Sequence, residues 1–212
     1  MARFLVVLDV DSTLIENEVI ELLAEHAGSL SEVAEITQRA MNGELDFEDS
    51  LRARVATLAG LPESVFDAVG TAVVVTRGVP ELVSTVHAAG GYVAVVSGGF
   101  HEVLDPVATA LGLDRWVANR LEVADGFLTG ELIGALIDGK AKAETLVAWA
   151  TEFDVPLRQT VAIGDGANDL AMMRVAGLAV GFDAKAPVRH VAGVLIDDRD
   201  LSQVLPLLGL RG

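Results

Sequence analysis

The sequence predicts an α/β protein, a doubly wound parallel sheet carrying a small inserted helical bundle. Three observations predict it. Short apolar runs rich in β-branched residues recur along the chain and stop at polar or glycine residues, the form of strands buried on both faces. Helical patterns fill the gaps between these runs. One stretch, from about Glu16 to Thr71, has helical spacing and no convincing strand.

The strands are expected at residues 4–8, 92–96, 160–163, 178–180 and 194–196. Helices are expected at 80–89 and 101–111, and again at 141–153. In the helical stretch, Val19, Ile20, Leu22, Leu23 and Ala27 share one face, and Gly28 stops that helix. Ser29 with Glu32 resembles a capping box for a second helix running to Met41. Asp46 suits the cap of a third, over 47–58, and Pro62 suits the first turn of a fourth. These four helices read as a cap over 15–76, leaving 1–14 and 77–212 as the core. Asp125-Gly126 between apolar residues signals a hairpin over 121–132, read as a small flap. Residues 201–208 read as a closing helix interrupted near Pro206.

Composition limits the partners. The chain has 212 residues, enough for one domain or a core with a small insert, and 51% of them are hydrophobic, enough to bury a core. With 31 acidic against 15 basic residues the net charge is −16, which argues against nucleic acid and anionic membranes. It leaves an anionic small molecule open, because local cations and backbone N–H groups can dominate a cleft. The absence of cysteine excludes disulfides and thiolate zinc sites and suits a cytoplasmic location. The first apolar run meets Asp9 too soon for a signal peptide or membrane span.

Four groups of residues could carry chemistry. Asp9-Val10-Asp11-Ser12-Thr13 follows the first strand, and two carboxylates two apart with a hydroxyl suit metal binding and acid–base work; a capped turn is the alternative. Ser97-Gly98-Gly99 ends the second strand, and a hydroxyl beside glycine backbone can cradle phosphate. Lys140 and Lys142 both stand at a helix start. Gly164-Asp165-Gly166-Ala167-Asn168-Asp169 offers oxygen ligands beside exposed N–H groups, without the spacing of an EF-hand. Three of the four groups follow strands, and parallel strands bring such ends to one edge.

In that order these groups resemble the four motifs of the haloacid dehalogenase superfamily of phosphatases. The match narrows to the phosphoserine phosphatase family through residues 9–18, 40–43, 47–55, 95–100 and 164–169. The resemblance implies a catalytic unit alone, without the regulatory domain that some members carry. It assigns catalysis to Asp9, Asp11, Ser97 and Lys142, with Asp9 the nucleophile and Asp11 the acid and base. Mg²⁺ would be held by the Asp9 and Asp165 side chains and the Asp11 carbonyl, with Asp169 and Thr13 behind them. Ser97, Gly98, Gly99, Lys142 and Asn168 would hold the phosphate. Glu18 would take the ammonium of phosphoserine and Arg54 its carboxylate, between apolar walls at Met41 and Phe47. Lys142 is preferred to Lys140 because residues 142–146 resemble the family's lysine helix.

Two other readings compete. A related phosphatase of another small metabolite, such as phosphohomoserine or a sugar phosphate, would share the catalytic motifs and differ in the cap. A phospho-accepting receiver domain would bear its aspartate on a middle strand and lack the inserted helices. The expected partner is a small phosphomonoester, with a homodimer as an open alternative to a monomer.

Overall fold

The computed structural model describes residues 4–211. Seven strands form one sheet: β1 (Leu5–Leu8), β2 (Tyr92–Phe100), β3 (Arg115–Ala124), β4 (Phe127–Ile133), β5 (Thr160–Gly164), β6 (Leu178–Phe182) and β7 (Val194–Ile196). Their order is β4-β3-β2-β1-β5-β6-β7, so the first strand sits in the middle with β2 and β5 on either side. Every pairing is parallel except β3 with β4. The two halves wind in opposite directions from β1, which opens a crevice at the carboxyl ends of the central strands.

Alternation along β1 divides the core. Val6 and Leu8 join the apolar layer that holds α5 (Val79–Ala88) and α6 (His101–Leu111). Leu5 and Val7 face the opposite layer, with Leu146, Trp149 and Ala150 of α7 (Gly139–Glu152) and Met172 and Met173 of α8 (Leu170–Val175). A strand buried on both faces needs an unbroken apolar run, and β1 supplies one.

Between β1 and α5 the chain forms α1 (Val19–Ala27), α2 (Leu30–Met41), α3 (Phe47–Ala56) and α4 (Val65–Ala72). Gly28 closes α1 with φ 70°, and the Asp46 side chain caps α3 by accepting from Asp49 N–H at 2.8 Å. Leu23, Val33, Val55 and Val69 of these helices are fully buried in the same apolar cluster as the sheet face.

Four expectations need correction. Ser29 forms no capping box; its hydroxyl donates to Thr57 Oγ1 at 3.1 Å and ties the start of α2 to the end of α3. Pro62 lies ahead of α4, where it bridges Phe127 of β4 and pins the inserted helices to the sheet edge. The hairpin is no separate flap. Its first strand begins at Arg115, and Arg115, Trp116 and Val117 run parallel to β2. That segment mixes Arg, Trp and Asn into its apolar residues, so it lacks the signature of a central strand. The turn itself is as expected, with Asp125 and Gly126 both at positive φ. Finally, Leu201–Leu208 is a 3₁₀ helix, a tighter coil that tolerates Pro206.

Candidate active site

Asp9 leaves the end of β1 still on the sheet ladder, its N–H donating to the Ile163 carbonyl at 2.9 Å. The chain then makes one wide turn closed by Leu14 N–H to Asp9 O and Ile15 N–H to Val10 O. Inside it Asp11 is extended and Ser12 takes φ 56°, an uncommon conformation for a residue with a side chain. This geometry separates the two carboxylates. Asp9 is buried and accepts from Val10 N–H at 2.7 Å. Asp11 turns toward the inserted helices and accepts from Val19 N–H at 3.2 Å, at the start of α1. Ser12 donates to Glu18 at 2.7 Å, so the turn also fixes the first residue that the helical insert offers.

Around Asp9 the ends of β2, β5 and β6 converge. Lys142 of α7 is fully buried, its Nζ 2.7 Å from Asp9 Oδ1 and 2.8 Å from Asp169 Oδ1. Lys140 is exposed and faces Glu144 at 3.5 Å. Asp169 also accepts from Gly166 N–H at 3.1 Å, and Asn168 donates to Asp9 Oδ2 at 3.3 Å. Lys185 follows β6 and places Nζ 2.9 Å from Asp165 Oδ2. Thr13 is fully buried, its hydroxyl without a hydrogen-bond partner among the described residues.

Oxygen atoms of Asp9, Asp165 and Asp169 lie within 4.8 Å of one another. Burial raises the pKa of Asp165, and burial and the Asp9 charge push Asp169 up to about 7. Burial would lower Lys142, but Asp169 and Asp9 outweigh it and raise its pKa, so it stays charged. Three crowded carboxylates with only hard oxygen donors fit a small divalent cation. The Asp11 carboxylate stands outside this group. Burial first, then Glu18 and Asp9, raise its pKa well above the usual carboxylate range, which favours a protonated acid.

Asp9, Asp11, Glu18 and Arg54 line one cavity of about 110 Å³, with Gly98 and Gly99 in its wall. Phe47 reaches across from α3 over Gly98 and continues into a wider outer recess of about 580 Å³ that includes Met41, which is 70% exposed. Arg54 is largely enclosed, donates to Ser50 O at 3.2 Å and has no carboxylate within 4.0 Å among the described residues. Burial lowers its pKa while Glu18 and Asp11 pull it back up.

A family model of haloacid dehalogenase-like hydrolases matches residues 6–174. The chain belongs to this family. The hydrolase is 50% identical over 204 residues to a phosphoserine phosphatase of Streptococcus thermophilus, covering 96% of this chain and 95% of that one. It is 54% identical over 209 residues to a phosphoserine phosphatase of Streptomyces coelicolor, covering 99% of this chain and 51% of that longer protein. A solved phospho-aspartyl intermediate analogue of phosphoserine phosphatase superposes with TM-score 0.93 at 41% identity, over 98% of the hydrolase and 100% of that chain.

Two residues of this region escaped the sequence reading. Lys185 follows a strand, the same rule that singles out Asp165, but a lone lysine carries no motif. Asn119 is buried on β3 and touches the glycine loop; flanked by Ala118 and Arg120 in a mixed segment, it carries no motif.

Proposed function

We propose that this hydrolase converts O-phospho-L-serine and water to L-serine and phosphate, as a cytoplasmic enzyme of serine biosynthesis. The observation that carries the reading is the shared cavity. It puts Asp9 and Asp11 beside one acidic and one basic side chain from the inserted helices, Glu18 and Arg54. Phosphoserine pairs an ammonium with Glu18 and a carboxylate with the forked guanidinium of Arg54. With no carboxylate among the described residues in ion-pair contact, Arg54 is available to an anionic ligand.

The Asp9 carboxylate attacks phosphorus while the ester P–O bond breaks, giving a phosphoaspartate. Asp11 protonates the departing serine oxygen, and the raised pKa of its carboxyl suits that task. The same group then takes a proton from water as that water attacks the phosphoaspartate and releases phosphate. Ser97, Lys142 and the backbone N–H groups near Asp11 and Gly98 hold the phosphoryl oxygens, where positioning and charge do most of the catalysis. Asn168 steadies Asp9 from the other side. Asp9, Asp165 and the Asp11 carbonyl would hold Mg²⁺, with Asp169 adjacent. When bound, the cation would screen the repulsion between the Asp9 carboxylate and the phosphate dianion. The helices over 15–76 act as the cap that closes the site against water.

Phosphate release from a panel of esters, with Mg²⁺ and with EDTA, tests this. L-phosphoserine should be strongly preferred over phosphohomoserine, a sugar phosphate and an aryl phosphate, and EDTA should abolish the activity. A preference for another ester would keep the chemistry and discard the substrate. Hydrolysis of none would discard both.

A further inference from the structure

Ser97, Gly98 and Gly99 bulge out of the sheet. The β2–β3 register steps from Val96↔Val117 to Phe100↔Asn119, so three residues of β2 face Ala118 alone. A bulge of this kind removes ladder partners from the backbone that it releases. The peptide joining Gly98 to Gly99 is held instead by two side chains. Its carbonyl accepts from Asn119 Nδ2 at 2.9 Å, and its N–H donates to Ser97 Oγ at 2.8 Å.

This peptide is easy to rotate. Glycine on both sides leaves the flanking torsions without the restraint of a Cβ. A Cβ would be tight at either position: on Gly99 it would lie 3.0 Å from the Asp11 carboxylate, and on Gly98 3.2 Å from the Phe47 ring. A trans peptide points its C=O and N–H in opposite directions. Anchoring the carbonyl therefore aims the N–H. Here the N–H reaches Ser97 Oγ and occupies an acceptor position of that hydroxyl, which leaves the O–H free to donate elsewhere.

Asn119 is built to be an anchor. It is 2% exposed, and its own oxygen accepts from Ile137 N–H at 2.8 Å, on the segment that leads into α7 and Lys142. One amide thus ties the glycine bulge to the approach of the lysine helix. We infer that Asn119 is a positioning residue for phosphoryl transfer: it fixes the Gly98–Gly99 peptide so that the Gly99 N–H holds Ser97 Oγ and the Ser97 O–H is left to face the phosphoryl group. This rests on the phosphatase reading above.

Asn119→Asp separates the two roles of the amide, since it keeps an acceptor for Ile137 and loses the donor to Gly98. The measurements are kcat and KM on L-phosphoserine, amide hydrogen exchange at Gly99 without substrate, and the unfolding midpoint. The expected result is a fall in kcat of about 10²-fold, the scale of losing one oxyanion donor, with KM moved less than about 3-fold. Gly99 exchange should be faster, while amides of β5 keep their protection. Leu205→Ala, a core truncation in the closing 3₁₀ helix, should lower the midpoint and leave kcat unchanged. That separates positioning from general loss of stability. If Asn119→Asp does not fold, Asn119→Ser carries the same expectation. Unchanged kcat or unchanged Gly99 exchange in the folded variant overturns the proposal. A wild-type protein that hydrolyses no phosphomonoester overturns the phosphatase reading, and the catalytic role with it.

Discussion

Asp105 accepts from His101 Nδ1 at 2.6 Å and from Trp116 Nε1 at 2.8 Å, and the other nitrogen of His101 accepts from Ala118 N–H at 3.1 Å. Partial burial pushes the Asp105 carboxyl up, but the hydrogen bonds from His101 and Trp116 outweigh it and hold its pKa below the usual value. A carboxylate with a depressed folded pKa stabilises the protein above its unfolded pKa, about 3.9, and that contribution is lost as pH falls through the folded value. Thermal unfolding of wild type and Asp105→Asn should therefore differ most at neutral pH and converge below about pH 4. A gap that widens in acid would contradict this. Asp105 gave no sequence signal, because its partners come from β3 and from its own helix. The acidic residues at strand ends were legible, because a strand followed by Asp is visible in one dimension. Lys140 and Lys142 were separable only by resemblance; burial distinguishes them in space, Lys142 against Asp9 and Lys140 in solvent.

Among the elements, β4 packs tightly against the end of α3 at Gly130. Its φ is 87°, and a Cβ there would lie 3.0 Å from Ala59 Cβ and 3.2 Å from Ala56 O at the end of α3. Gly126 in the hairpin turn has φ 81° with open space around it. Alanine at Gly126 should cost about 1–2 kcal/mol for the left-handed backbone alone. Alanine at Gly130 should cost that and about 1–3 kcal/mol more for overpacking, measured by urea unfolding. Equal losses at both would mean that α3 yields without cost. Most strands and all four inserted helices were legible from periodicity and caps. β3 was read short because a strand next to the edge mixes polar and apolar residues. Ser29 was misread because its hydroxyl has a better partner in Thr57, 28 residues away.

The molecule as a whole carries a net charge of −16. Such an excess repels itself and an approaching phosphate dianion. Raising NaCl from about 0.01 to 0.15 M shortens the screening length from about 30 to 8 Å. Both the unfolding temperature and kcat/KM for L-phosphoserine should rise, with Mg²⁺ held constant. A fall in the unfolding temperature would mean that specific ion pairs outweigh the net repulsion. Nucleophilic attack by Asp9 is tested by acid quenching of the enzyme during turnover of phosphate-labelled L-phosphoserine. Label should be bound covalently to the peptide that contains Asp9, sensitive to hydroxylamine as an acyl phosphate must be, and absent from Asp9→Asn. Label on another residue, or turnover retained by Asp9→Asn, would contradict it.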